Sequence, residues 1–239
     1  MESQTVTLSA EQREQRIRDA CPVELTFIRH AEPDWGSDDD PVLTQHGLRT
    51  ARVLGEHLRS RQFAAMFCSP MRRARETAAP IAAVQQLEPV IIEDLAEITL
   101  PLQGTLSQAE VDAYFRAAAN RPFSDHWEGF PGGESFHAFH KRVSTAITTV
   151  LKPYDIHAHE TEGFCVWTSP ARAKTLRLAV VGHGGTNSVA LTHLLGIAPV
   201  PWEWARFETP LAAYSVVGLR AINSRGHIWS LQQFGRRAE

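Results

Sequence analysis

Cysteine is scarce in this chain. There are three in 239 residues, Cys21, Cys68 and Cys165, far apart and odd in number. No disulfide framework and no Cys-x-x-Cys metal pattern can be built from them. A reducing, cytoplasmic setting is expected. No apolar run approaches the roughly 20 residues of a membrane-spanning helix, so no membrane partner is expected. An excess of basic charge is missing too: 24 Lys and Arg face 27 Asp and Glu, for a net charge of −3. A dedicated nucleic-acid binder would usually be basic, so no nucleic acid is expected either. The first residues, among them Glu2, Gln4, Glu11 and Arg13, are polar and form no apolar h-region, which predicts no secretory signal. Internal repeats and low-complexity tracts are absent. The glycine-rich stretch 182–186 lacks the lysine and spacing of a Walker motif.

What is present is an ordinary globular composition, 43% hydrophobic and 21% charged. The length suits one α/β domain with insertions, here residues 22–235. Residues 1–21 read as a peripheral tail, with Ser9-Ala10-Glu11-Gln12 as a capping box opening a short charged helix. Apolar segments at 24–29, 64–68, 89–92 and 176–181 predict strands. Helical spacing predicts helices at 44–59, from Ser69-Pro70 through Ala82, at 108–119, at 136–150 and at 189–195. Thr44 reads as an N-cap and Ser69-Pro70 as a cap with proline in the first turn. Segment 153–174 reads as a loop insertion, apart from a short strand at 164–167. Residues 215–222 and 227–234 read as a terminal hairpin that adds an antiparallel edge. Strands alternating with helices predict a three-layer α/β/α fold with a mostly parallel central sheet.

Three strand-to-helix junctions carry the chemistry. The first ends in Arg29-His30, the second in Cys68-Ser69-Pro70-Met71-Arg72-Arg73, the third in Gly182-His183-Gly184-Gly185. In a parallel sheet such junctions share one edge, where ligands dock. His30 alone could attack phosphorus, bind a metal, act as a base or cap a strand. Together the junctions offer two histidines, two or three arginines and two helix N-termini. Helix N-termini favour anions, and arginine forks match phosphate oxygens. A dense tetrahedral anion, phosphate, is the expected ligand.

At this point the chain resembles a known family. Arg-His-Ala-Glu at 29–32, Leu-Thr-Gln-His-Gly at 43–47, Ser-Pro-Met-Arg-Arg-Ala-Arg-Glu-Thr-Ala at 69–78, Gly-Gly-Glu-Ser at 132–135 and Val-Gly-His-Gly-Gly at 181–185 are similar to the signatures of the histidine phosphatase superfamily, the phosphoglycerate mutase-like group. They occur in the family's order. The resemblance implies a metabolite phosphatase working through a phosphohistidine, with no metal and no cofactor. His30 would be the nucleophile, attacking as a neutral imidazole. Arg29 and Arg73 would clamp the non-bridging oxygens, with Arg72 as an auxiliary. His183 would donate a hydrogen bond to the phosphoryl group, and Gly184 would line the anion site. Glu97 falls on the position of the family's acid, with Glu93 and Asp94 as local competitors. Glu32 would orient neighbours, and the Thr44 hydroxyl would reach the substrate.

The chain departs from the family at Trp35-Gly36, where relatives carry Trp-Asn, and in the short acidic run Asp38-Asp39-Asp40. The mutases' longer substrate-binding stretch is also absent, which favours hydrolysis over a mutase reading. A third reading is a non-catalytic module that binds a phospho-ligand or a protein. The insertion at 98–131 would be the lid, with Arg116, Arg121, His126 and Trp127 toward the substrate. Bland readings apply elsewhere. Arg75 reads as a solvated helix face, Gly132, Gly133 and Ser135 as a turn and cap. The pairs His137/His140 and His157/His159 read as solvated histidines without a third metal ligand. The expected partner is a small phosphorylated substrate, and a homodimer is admitted.

Overall fold

A computed structural model describes residues 23–35, 40–100, 108–169, 174–223 and 226–238. The tail expected at 1–21 lies outside them, as do Gly36 and residues 37–39. Among the described residues one sheet contains β1 (Val23–Arg29), β2 (Ala65–Cys68), β3 (Val90–Ile91), β4 (His157–Thr161), β5 (Phe164–Thr168), β6 (Leu176–Gly182), β7 (Tyr214–Asn223) and β8 (Gly226–Arg236). Their order is β3-β2-β6-β1-β7-β8-β5-β4. The main helices are α1 (Gln45–His57), α2 (Arg72–Gln85), α3 (Gln108–Ala119), α4 (Phe136–Leu151) and α5 (Gly184–Leu194), with a single turn α6 (Glu203–Arg206).

Strand alternation divides the core into two layers. Leu25, Phe27, Leu178, Val180, Val217 and Leu219 pack with Phe136, Phe139, Val143 and Ile147 of α4 and with Val189 and Leu191 of α5. Ile28, Ala179, Val181 and Val216 join Leu54 of α1 and Ala74, Ala78 and Ile81 of α2 on the opposite face. Each fully buried Leu, Ile or Phe stabilises the fold by about 1.5–3 kcal/mol, so both helix layers are firmly held. The three-layer α/β/α architecture expected from the sequence is present. The sheet is not mostly parallel as expected: three of its pairings are parallel and four antiparallel, and the parallel ones, β3 with β2, β2 with β6, and β6 with β1, are those that position the chemistry. The other half, from β1 through β7, β8, β5 and β4, is antiparallel.

Several local expectations change. The terminal hairpin β7–β8 is not an edge. β7 lies beside β1, and β8 continues the sheet to β5. Its turn residues 224 and 225 lie outside the described residues. In the segment 153–174 the short strand expected at 164–167 is present as β5, but the stretch before it, expected to be loop, contains a second strand, because His157–Thr161 pairs with Phe164–Thr168 in a hairpin. Helix α2 starts at Arg72 with Met71 as its cap. Ser69 is therefore not the cap. Helix α5 starts directly after His183, five residues before the expected 189. By contrast, Thr44 and Ser135 cap α1 and α4 as their types predict, accepting from the N–H groups of Gly47 and Ala138.

Candidate active site

The register of the parallel half brings three strand ends together. Arg29 pairs with Gly182, and Cys68 with Val181, so His30, Ser69 and His183 each lie just past a strand terminus on one edge. The His30 N–H donates to the Gly182 carbonyl at 3.0 Å, and that of Ser69 to Val181 at 2.9 Å.

His30 is buried, 4% exposed. Its Nδ1 lies 2.8 Å from the Ala31 carbonyl oxygen. A carbonyl only accepts, so Nδ1 carries the hydrogen and Nε2 keeps the lone pair. The peptide that orients the ring is itself fixed. The Ala31 N–H donates to Thr77 Oγ1 at 2.9 Å, and that hydroxyl donates to the Arg73 carbonyl at 2.7 Å. Burial pushes the His30 pKa down to about 3, the hydrogen bond to Ala31 opposes this, and the charges of Arg73 and Arg29 add to the lowering. The ring is neutral at pH 7, the state a nitrogen nucleophile requires.

His183 caps α5 with its backbone and is fully buried. Its Nε2 lies 2.7 Å from Ser69 Oγ, while Nδ1 is buried with no hydrogen-bond partner. The His30 and His183 ring centroids are 5.1 Å apart. Burial holds the His183 pKa well below its usual value, helped by the charge of Arg73 and by His30.

Two guanidiniums flank the rings. Arg29 donates from Nη1 to the Thr209 carbonyl at 2.6 Å, and its Nε has no hydrogen-bond partner. Arg73, 4% exposed on the first turn of α2, donates from Nη2 to the Met71 sulfur at 3.2 Å. Its Nε and Nη1 are buried without a hydrogen-bond acceptor. Burial lowers the pKa of both arginines, and the charge of Glu97 opposes the lowering. Buried N–H donors left unmatched cost free energy, and an anion with several oxygens removes that cost. The arrangement has the unmatched donors that a compact, multiply charged oxyanion would take up.

Glu97 closes the site from the loop after β3. Its Oε2 accepts from the Gly185 N–H at 2.8 Å and its Oε1 from the Thr186 N–H at 3.1 Å. The carboxylate thus caps α5 from 88 residues away in sequence. A side chain at Gly185 would run into this carboxylate, so the close approach requires glycine there. Arg142 of α4 supports the loop. It donates to the carbonyls of Asp94, Ala96 and Glu97 at 2.9, 2.8 and 3.1 Å, and to both carboxylate oxygens of Glu134 at 2.7 Å. Glu93 and Asp94 are exposed on a short 3-10 turn.

His30, His183, Arg29, Arg73 and Glu97 are therefore gathered in one place. A side chain at Gly184 would touch the Arg29 guanidinium, which locates Gly184 at the same edge. Thr44 lies beside Glu32, donating to its Oε1 at 2.7 Å while capping α1. Its hydroxyl is taken up by structure. The side chain of Arg72 is exposed. The expected lid residues are engaged in structural contacts: Arg121 donates to the carbonyls of Ala118 and Gly129, His126 lies against the Arg121 carbonyl and packs edge-on to Trp202, and Trp127 stacks on His137 of α4 with centroids 4.4 Å apart. Arg116 is exposed. Among the described residues no three His, Cys, Asp or Glu side chains group as a metal site, and no helix is long and apolar enough to cross a membrane.

Sequence reasoning missed Ser69, Thr77, Asp40 and Arg142. Ser69 and Thr77 lie within the 69–78 motif, so the motif itself was the available signal. Asp40 accepts from the Arg72 N–H at 3.0 Å and lies 3.6 Å from Arg73 Nη1. Only the fold brings it there.

Comparison with known proteins fits this geometry. The chain is 29% identical over 161 residues to phosphoserine phosphatase 1 of Hydrogenobacter thermophilus, covering 63% of this chain and 74% of that protein. The fold matches a mycobacterial glucosyl-3-phosphoglycerate phosphatase in complex with inorganic phosphate, with a TM-score of 0.69, 23% identity, and 90% and 98% of the two chains covered. It also matches the alpha-ribazole phosphatase of Shigella flexneri, with a TM-score of 0.66, 22% identity, and 90% and 97% covered. The model of the histidine phosphatase superfamily (branch 1) matches residues 25–230, and the chain belongs to that family.

Proposed function

We propose that His30 is the nucleophile of a phosphatase that hydrolyses monoesters of small phosphorylated metabolites through a phosphohistidine. The observation that carries this reading is the held imidazole: Nδ1 tied to Ala31 leaves Nε2 unprotonated beside His183 and between two arginines with unmatched N–H groups. In the first step Nε2 attacks phosphorus and the ester P–O bond breaks. Arg29, Arg73 and Nδ1–H of His183 stabilise the charge on the non-bridging oxygens, the main demand of phosphoryl transfer. Nε2 of His183 then accepts from the Ser69 hydroxyl, which sets the tautomer.

Glu97 supplies the proton for the departing alkoxide. Its Oε1 takes the N–H groups of both Thr186 and Ile98, whereas Oε2 takes that of Gly185 and keeps a second lone pair, so Oε2 can carry and donate the proton while the carboxyl stays anchored to α5. In the second step its carboxylate takes a proton from water, which attacks the phosphohistidine and releases inorganic phosphate. The segment carrying α3 and the 3-10 turn Phe123–Glu128 follows Glu97 in the chain and is the proposed lid. Relatives bearing the names phosphoserine phosphatase and glucosyl-3-phosphoglycerate phosphatase support the class of small phosphorylated substrate.

The test is release of phosphate from a panel of esters, p-nitrophenyl phosphate included, with excess chelator present. The expected result is turnover that chelator leaves unchanged and that His30→Ala abolishes. Activity persisting in His30→Ala would refute the assignment, and loss of activity in chelator would refute the metal-free mechanism.

A further inference from the structure

Asp40 occupies an unusual place beside the phosphate cage. Its carboxylate sits at the N-terminus of α2, both oxygens 3.0 Å from the Arg72 N–H. The same carboxylate lies 3.6 Å from Nη1 of Arg73. A helix N-terminus next to an arginine is a ready-made anion site. Here the chain's own carboxylate fills it. The neighbouring cage keeps its openings for one anion, since Arg73 Nε and Nη1 and His183 Nδ1 are buried without hydrogen-bond partners. The charges of Glu97 and exposed Glu208 act on Arg29 and that of Glu97 also on Arg73, favouring their charged forms. The indole of Trp35, 68% exposed, lies over Arg73 with its centroid 5.4 Å from the guanidinium carbon. The surroundings of the cage thus combine fixed negative charge with an open aromatic face.

We propose that Asp40 makes the site selective for phosphomonoesters whose alcohol part is neutral or cationic, by holding the second anion position against substrates that carry a carboxylate. This rests on the phosphatase reading and narrows its substrate class. A carboxylate on the substrate approaching this rim meets Asp40 at close range, and like charges within several ångströms repel appreciably even at an effective dielectric constant of about 20. A neutral alcohol does not meet this repulsion. A cationic one is attracted to Asp40 and to the exposed indole face.

Glycerol 3-phosphate and 3-phosphoglycerate test the point, because they share a three-carbon skeleton and differ in a terminal hydroxymethyl against a carboxylate. Phosphoethanolamine supplies the cationic case and p-nitrophenyl phosphate a generic one. Wild-type kcat/KM is expected to be at least about tenfold higher for glycerol 3-phosphate than for 3-phosphoglycerate, a charge effect that weakens at high salt. Asp40→Asn keeps an oxygen for the Arg72 N–H and removes the charge. In it the ratio is expected to fall close to one, mainly through a lower KM for 3-phosphoglycerate. A wild type that prefers 3-phosphoglycerate, or a ratio unchanged by Asp40→Asn or by salt, overturns the inference while leaving the phosphatase reading intact. If p-nitrophenyl phosphate and every other ester go unhydrolysed, both fail together.

Discussion

At the scale of single residues, the site depends on histidines kept neutral. The folded His30 has its pKa pushed to about 3 by burial, below the roughly 6.5 of an exposed imidazole. The unfolded chain therefore binds a proton first as pH falls. The contribution of neutral His30 to stability is complete above about pH 6.5 and is lost progressively as pH drops toward 3, at up to about 1.4 kcal/mol per pH unit. His183, also lowered by burial, acts in the same direction. Urea midpoints should fall between pH 7 and pH 5 in the wild type and fall less in His30→Gln, which has no titrating ring. Equal slopes in the two proteins would show that His30 is not the group responsible. The identity of these residues was legible in the sequence, because Arg29, His30, Arg73 and His183 sit in ordered motifs at strand ends. The partners that set their protonation were less so. Ser69 before Pro70 has the form of a helix cap, and only the pairing of β2 with β6 shows that its hydroxyl meets His183. Thr77 looks like one more residue on a helix until its bond to Ala31 is seen.

At the scale of elements, helices with local signals were legible and those built by distant contacts were not. Helices α1 and α4 carry their own caps in Thr44 and Ser135. Helix α5 opens with Gly184, Gly185, Thr186, Asn187 and Ser188, all poor helix formers. Its first turn is stabilised from outside by Glu97, whose carboxylate takes two of the N–H groups left free at a helix start. Arg142 in turn holds the loop that delivers Glu97. Lysine cannot span the three carbonyls and the Glu134 carboxylate that the planar guanidinium joins. Arg142→Lys should therefore destabilise the fold by about 1–3 kcal/mol. Its kcat should drop more for alkyl phosphates than for p-nitrophenyl phosphate, whose leaving group needs no proton. A uniform loss across both esters would mean that Arg142 serves stability alone and does not position Glu97.

At the scale of the whole molecule, the sheet has two roles. Its parallel half aligns three strand ends and so assembles the site, and its antiparallel half extends the core. Strand β4 escaped the sequence reading, although its partner β5 did not, because the edge strand His157–Thr161 is exposed along nearly its whole length and shows no apolar alternation. The hairpin is nonetheless part of the body. Trp167 is buried, 5.8 Å from Trp229 and 6.1 Å from His193 between ring centroids. Trp167→Ala should cost about 3–5 kcal/mol, read from denaturant unfolding, whereas a detachable insertion would lose almost nothing. The convergence of β1, β2 and β6 serves one claim above all, that phosphate passes through His30. Rapid quenching of the enzyme with a ³²P-labelled ester, followed by digestion, tests it most directly. The account predicts acid-labile, alkali-stable label on the peptide containing His30, formed and discharged at rates consistent with turnover. Active enzyme that turns over without such a labelled species, or with the label on another residue, contradicts it.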